Sequence, residues 1–340
     1  MKTCLLLILI TIGCSYSVRA QDIHFSQFFE APLLRNPSLA GIFEGDIRVQ
    51  GVYRDQWNSV TNAYRTGSLN AEYKMPIGRG DDFITAGLQV LYDKAGTVGL
   101  TTTHLLPAIN YHKSLSSEKV MYLSLGFMGG MVQKRIDYSK ITTDLQYGGS
   151  GYDPTAPNGE YFPDANLNYF DGSFGASFNT TFGKDFKNTM FIGGAYHHFN
   201  RPQNSFYHNA NIELNPKYVF SVGMKLNIDD YTFFTLQADQ SVQGPFRETI
   251  GGALYSWKLG DPEVPSYTLH AGAFLRWKDA LIPVVKIDMN ALSVAISYDV
   301  NVSQLKTASQ SRGGFELSIT YLSFLDRYNS TRDKVLCPKF

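Results

Sequence analysis

The sequence predicts an all-β protein: a single transmembrane outer-membrane β-barrel of about 14 antiparallel strands, preceded by a cleaved signal peptide. Three observations predict it. Apolar residues alternate with small or polar ones in many successive runs, the first 20 residues are typical of an export signal, and the longest connections fall at the same end of the strands. Side chains alternate between the two faces of a strand, so each run offers one apolar and one polar face.

The alternation is clearest near residues 291–301 and 312–322. In the first run Leu292, Val294 and Ile296 point one way, and Ser293 and Ser297 point the other. Equivalent runs predict strands near 46–57, 63–74, 83–93, 101–113, 120–135, 169–182, 188–199, 217–228, 230–241, 246–258, 267–277, 281–288, 291–301 and 312–322.

These runs suit a membrane barrel. A transmembrane strand needs only about 9–11 residues, with an apolar outer face, whereas a membrane helix needs about 20 apolar residues in sequence. The inner face is then expected to carry charges of both signs, which suit either water or salt bridges that plug the lumen: Arg48, Arg54, Glu72, Lys74, Lys225, His270, Arg276, Asp299 and Glu316. A pair of soluble β-sandwiches would show the same alternation. The export signal, the small residues of the polar faces and the lack of a linker favour the barrel.

The N-terminal segment has the parts of a signal peptide. Met1 and Lys2 give a positive start, residues 5–12 are apolar, and cleavage is expected after Ala20. The residues before Cys14 fit a lipid-attachment box poorly, which disfavours a lipoprotein. The expected organisation is a signal peptide at 1–20, a periplasmic N-terminal lead-in at 21–45, the barrel at 46–324 and a periplasmic C-terminal tail at 325–340.

Connection lengths give an orientation. If the first strand runs outward, the two longest connections, 136–168 and 200–216, both lie outside the cell, and the other end carries mainly short periplasmic turns. The 136–168 segment is rich in acidic residues, Gly, Pro and Asn, but its spacing matches no calcium loop, so a solvated surface loop is favoured.

Composition and motifs predict no catalytic residue, no cofactor and no metal site. The formal net charge is zero, which gives no electrostatic case for nucleic acid. Cys337 alone lies beyond the predicted signal peptide, so neither an intrachain disulfide nor a cysteine-based zinc cluster is expected. His197 and His198 are adjacent on a predicted strand and point to opposite faces. The chain has no nucleophile elbow and no phosphate loop.

Several segments, read in order, resemble the PorP/SprF family of outer-membrane proteins. The segments are 21–27 (QDIHFSQ), 35–41 (RNPSLAG), 53–57 (YRDQW), 297–301 (SYDVN), 312–316 (RGGFE) and 337–340 (CPKF). The resemblance implies as partner contacts the motif residues Asn36, Pro37, Ala40, Gly41, Tyr53, Arg54, Gln56, Trp57, Gly313, Gly314, Phe315, Glu316, Cys337, Pro338 and Phe340.

The resemblance also implies a function: a non-enzymatic component of the type IX protein secretion system of Bacteroidetes. Such proteins support secretion or surface anchoring of specific cargo such as adhesins, and gliding motility where present. Expected partners are outer-membrane lipid, periplasmic and outer-membrane secretion components, and a secreted surface cargo protein. One alternative is a porin or a transport barrel for small solutes or hydrophobic substrates. Another is an outer-membrane enzyme, but no paired Ser/His or acid cluster supports it.

Overall fold

A computed structural model describes residues 22–56, 64–78, 81–149, 151–303 and 312–326. Fourteen antiparallel strands close into a barrel, as the alternation predicted. The barrel strands are β1 Ile47–Gln56, β2 Tyr64–Pro76, β3 Phe83–Ala95, β4 Leu100–Ser114, β5 Met121–Arg135, β8 Asn166–Phe182, β9 Asn188–His197, β10 Lys217–Asn227, β11 Thr232–Gln243, β12 Phe246–Gly260, β13 Pro265–Arg276, β14 Ala280–Met289, β15 Leu292–Asn301 and β16 Arg312–Ser323. The short strands β6 Tyr147–Gly148 and β7 Gly151–Tyr152 form a separate hairpin, which the sequence did not indicate.

The strands follow one another around the barrel in chain order. β5 pairs with β8 across the connection that carries β6 and β7, and β1 pairs with β16 to close the ring. At this seam Arg54 lies opposite Glu316, and Tyr53 lies opposite Leu317. Closure pairs the edges that an open sheet would expose, which a strand inside a lipid bilayer requires.

The two faces of each strand differ as expected. On β15, Leu292, Ile296 and Tyr298 are exposed on the outside, whereas Ser293 and Ser297 are buried inside. The outer face therefore suits lipid, and the inner face is small or polar. The charged residues predicted to face inward are all buried except Lys225, which is partly buried.

The two ends of the barrel differ in their connections. One end, here called the loop end, carries the long connections 136–165 and 198–216, and the other, here called the turn end, carries short turns. The connection 136–165 contains β6, β7 and the 3-10 turns Tyr138–Lys140 and Asp144–Gln146. The two long connections touch each other where Phe162 lies 5.0 Å from Tyr207, measured between ring centroids. The assignment of the loop end to the cell exterior stays a prediction.

Residues 22–46 lie inside the barrel and are here called the plug. They form the 3-10 turns Phe28–Glu30 and Pro37–Leu39 and the short α-helix Pro32–Arg35, and most of their side chains are buried. Pro32 begins the short α-helix and Pro37 begins the second 3-10 turn. The first N–H of a helix has no partner within it, so proline, which lacks this N–H, is tolerated there. In the described part of the chain, no helix is long and apolar enough to cross a membrane.

Candidate functional site

The plug packs against opposite sides of the barrel wall. Phe28 lies 5.4 Å from Phe274 of β13, measured between ring centroids. Leu33 is fully buried in a cluster with Met128 of β5. Burying a side chain of this size contributes about 1.5–3 kcal/mol. Apolar contacts on several sides therefore hold the plug in the lumen.

A buried carboxylate at the closing seam binds the plug backbone. The two carboxylate oxygens of Glu316 accept the backbone N–H groups of Ser26 and Gln27, each at 2.7 Å. Arg54 of β1 lies between Glu316 and Asp299, at 3.3 and 3.2 Å. Hydrogen bonds to a charged group are about twice as strong as neutral ones. The seam and the plug therefore share one charged network.

Arg276 of β13 extends this network towards the loop end. It ion-pairs with Asp299 and donates to Ser26 Oγ at 3.1 Å. Its Nη1 donates to His24 Nε2 at 2.7 Å, and its Nε lies 2.8 Å from Asp279. The barrel thus supplies cations from two strands and acids from two others to hold residues 24–27.

Arg35 anchors the middle of the plug to β11. Its Nε donates to Asp239 at 2.7 Å, and its Nη1 donates to Gln237 at 2.6 Å. The guanidinium also lies over the rings of Phe28 and Phe191, at 4.8 and 5.1 Å. A planar guanidinium can stack and donate at once, which a lysine cannot do in this geometry.

Glu30 joins the plug to three strands of the wall. Its carboxylate accepts from Lys286 of β14 at 2.7 Å, from Gln50 of β1 at 2.5 Å and from Thr320 of β16 at 3.2 Å. The side chain is 3% exposed, so burial would be costly without these partners.

Glycines in the wall make room for the turn at Asn36 and Pro37. A Cβ atom at Gly175 of β8 would overlap the Asn36 side chain, and one at Gly126 of β5 would overlap the Pro37 carbonyl. Asn36 Nδ2 donates to the carbonyl oxygen of Gly194 at 3.2 Å. The plug therefore approaches the wall closely at glycines.

Hydrogen bonds between wall side chains and plug backbone groups hold the last part of the plug. Asn110 of β4 donates to the carbonyl oxygens of Ser38 and Ala40, at 2.6 and 2.8 Å. The N–H of Gly41 donates to Glu72 of β2 at 2.8 Å. Gly41 has φ +82°, a conformation that favours glycine.

At the loop end, His198 links the start of the plug to the wall. Its Nδ1 lies 2.8 Å from Asp171, and its Nε2 lies 2.6 Å from Asp22. Burial opposes protonation, but the carboxylates of Asp22 and Asp171 outweigh it and raise the pKa of His198 to about 9. At physiological pH the imidazolium of His198 therefore bridges the carboxylates of Asp22 and Asp171 and fastens the start of the plug to the wall.

A cavity with a volume of about 270 Å³ lies beside the plug, towards the turn end. Phe29, Phe43 and Phe233 give it aromatic surface, and Glu44 and Lys286 give it charge. Three cavities nearer the loop end are smaller, with volumes of about 20, 60 and 40 Å³.

The predicted motif residues fall into five groups. Asn36, Pro37, Ala40 and Gly41 belong to the plug, while Arg54, Gly314 and Glu316 are buried in the wall facing it. Tyr53 and Phe315 are exposed on the outer face, and Gln56 and Gly313 are partly buried. Trp57, Cys337, Pro338 and Phe340 lie outside the described residues. A role of these residues in partner contacts stays a prediction.

Sequence reasoning missed most residues that fasten the plug. Glu30, Arg35, Asp239 and His198 carry no local pattern that marks them. One signal was present: the lead-in combines charged residues with several large apolar residues, which is unusual for a solvated segment. Among the described residues, no group of three or more His, Cys, Asp or Glu side chains could hold a metal ion.

One family model matches most of the chain. The model of the family described as type IX secretion system membrane protein PorP/SprF matches residues 17–321. A comparison with curated proteins returns no match.

Solved structures of two channels and a porin are also similar to this chain. A TodX mutant, a monoaromatic hydrocarbon channel, has 10% sequence identity and a TM-score of 0.46, over 86% of this chain and 93% of that one. CymD, a monoaromatic hydrocarbon channel, has 10% identity and a TM-score of 0.46, over 86% and 92%. The NanC porin has 10% identity and a TM-score of 0.39, over 82% and 100%.

Proposed function

The chain belongs to the PorP/SprF family of type IX secretion system membrane proteins, and we propose that it is a non-enzymatic accessory barrel that supports secretion or surface anchoring of specific cargo. The protein lies in the outer membrane as a closed barrel of 14 strands. Adhesins are the proposed class of cargo, with gliding motility in organisms that glide.

The filled lumen supports this function most directly. The plug begins at Asp22, which contacts His198 near the loop end, and reaches Asp46 at the turn end, where Asp46 donates its N–H to the carbonyl oxygen of Ser323. Between these points it contacts strands on several sides of the ring, through Glu316, Asp239 and Asn110 among others. A folded cargo protein does not fit through a lumen occupied in this way. Transport of cargo therefore belongs to another component, and this barrel helps or anchors it.

The contacts favour a plug that stays in place. Removing one partner of a buried ion pair typically costs about 3–5 kcal/mol, because the other charge is left buried. The plug carries such pairs at Arg35–Asp239 and Glu30–Lys286, and its backbone binds Glu316. Withdrawal would break all of them together.

The ends of the barrel are the proposed contact surfaces. Asn36, Pro37 and Gly41 are seated against the wall, so their proposed role is to hold the plug. Cargo is proposed to meet the long connections 136–165 and 198–216 at the loop end. Periplasmic secretion components are proposed to meet the turn end and the segment that contains Cys337, Pro338 and Phe340.

A clean deletion of the gene tests the function. We expect a few large surface proteins to be lost from the cell surface and medium and to accumulate in the periplasm. The deletion strain carrying the wild-type gene is the control. An unchanged secreted and surface proteome would contradict the secretion role.

Conductance measurements distinguish the alternative, a porin or small-solute channel. The purified protein in planar bilayers should show no stable open channel, because the plug fills the lumen. Open channels in the wild-type protein, together with reduced solute uptake in the deletion strain, would favour the alternative instead.

A further inference from the structure

The cavity at the turn end is a built site with two kinds of surface. Its lining combines apolar residues, among them Phe29, Ile42 and Phe233, with charged residues such as Arg48 and Lys225. Its mouth carries Glu44, which is exposed. At about 30 Å³ per water, a volume of about 270 Å³ equals ~9 waters, enough for one or two large side chains but not for a folded domain.

The cavity also presents an unused hydrogen-bond acceptor. Gln50 is 3% exposed and lines the cavity. Its Nε2 donates to Glu30, whereas its Oε1 receives no hydrogen bond from the described residues. A buried acceptor of this kind favours an occupant that brings a donor. The site therefore suits a segment with a large apolar side chain and an N–H group beside it.

We propose that residues 335–340 of the same chain, Val335-Leu336-Cys337-Pro338-Lys339-Phe340, dock in this cavity, with apolar side chains against the aromatic wall. The contact is intramolecular, so its test needs neither cargo nor secretion components.

The path of the chain supports this occupant. Strand β16 ends at Ser323, and Leu322 of the same strand lines the cavity. The N–H of Leu325 donates to Asp46 at 2.8 Å, at the junction of the plug and β1. Asp326, the last described residue before the segment, therefore lies at the same end as the cavity mouth.

The length of the chain supports it as well. Eight residues lie between Asp326 and Val335, and the nine Cα-to-Cα steps, at up to about 3.6 Å each, reach ~32 Å. A tethered segment also competes at an effective concentration of about millimolar, which favours it over a separate chain.

Cys337 provides a natural reporter for the test. It lies three residues from Phe340, so a docked segment brings it within about 10 Å of the cavity. The experiment compares Lys225→Cys, which lines the cavity, with Ser117→Cys, an exposed position at the β4–β5 turn of the same end. Ser293→Cys is a second cavity variant that keeps the charges of the wall.

The control lies closer to β16 than the first cavity variant does. β4 is four strands from β16 around the ring, and β10 is six strands away. A segment that only diffuses on its tether would reach Ser117→Cys at least as fast. Docking predicts an intramolecular disulfide to Cys337 that forms about tenfold faster with Lys225→Cys than with Ser117→Cys, under mild oxidation of the full-length purified barrel. Ser293→Cys lies on β15 beside β16 and serves as the positive control for disulfide formation.

Mass spectrometry of the non-reduced protein gives the rates, and Cys337→Ser should abolish the product. Phe340→Ala, added to the Lys225→Cys variant, should bring its rate down to that of Ser117→Cys. Equal rates of disulfide formation in the Lys225→Cys and Ser117→Cys variants would overturn the proposal. Disulfides formed mainly between two chains would also overturn it, by assigning the cavity to a second copy.

Discussion

Glu316, on the strand that closes the barrel, accepts the backbone N–H of Gln27 in the plug at 2.7 Å. The same carboxylate accepts the N–H of Ser26 and faces Arg54 across the seam between β1 and β16. The residue that helps to close the barrel therefore also holds the plug. Barrel closure and plug placement are coupled through one buried charge.

Loss of that charge should loosen the plug. In Glu316→Gln, Arg54 loses one of its two carboxylate partners and the plug loses a charge-assisted acceptor, so we expect a destabilisation of about 3–5 kcal/mol. Hydrogen exchange of the amides of residues 22–46 in detergent should become faster. Glu263→Gln, in an exposed connection, is the matched control and should leave exchange unchanged. Similar exchange in the two variants would contradict the role of Glu316.

The Arg35–Asp239 pair should show strong coupling. Arg35→Met leaves the Asp239 carboxylate buried without its cation and should cost about 3–5 kcal/mol. The double variant Arg35→Met with Asp239→Leu removes both charges and should recover most of that loss. Urea unfolding of the four proteins in a double-mutant cycle gives the coupling energy. Additive effects would contradict a direct interaction.

Enlarging a wall glycine should displace the turn at Asn36. Gly175→Val places side-chain atoms where the Asn36 amide lies, and overpacking of this kind costs about 1–3 kcal/mol. Valine favours strands, so β8 itself should still form. Protease cleavage within the plug should increase. Gly67→Val, on β2 with open space around it, is the control. Equal cleavage in the two variants would contradict the close approach of Asn36 to Gly175.

The contact at His198 should depend on pH. The pKa of His198 is raised from 6.5 to about 9, so the stabilisation is fully present below pH 6.5 and is lost as the pH rises through 9. At 1.36 kcal/mol per pKa unit the full effect is about 3 kcal/mol. Hydrogen exchange near Asp22 should therefore accelerate between pH 7 and pH 10, after correction for the intrinsic rate. His198→Asn keeps a residue that tolerates the φ of +56° but cannot be protonated, so its exchange should lack this dependence.

The sequence by itself determined the wall of this protein. An alternation with a period of two residues assigns each side chain to a face, as for Leu292, Ser293, Ile296 and Ser297. This alternation is local and depends only on the pleat of a strand. Strand number, the positions of the long connections and the inward direction of Arg54 and the other charges follow from the same pattern. Bounds within a few residues of those observed follow from it as well.

Tertiary structure alone decided where residues 22–46 lie. The turns of the plug are short, and their hydrogen bonds reach partners far along the chain: Ser26 Oγ donates to Asp299, 273 residues away. Such a pair has no spacing that a sequence pattern could reveal. It exists because closure of 14 strands leaves a lumen lined with polar and charged groups, and the plug satisfies many of those groups when it enters.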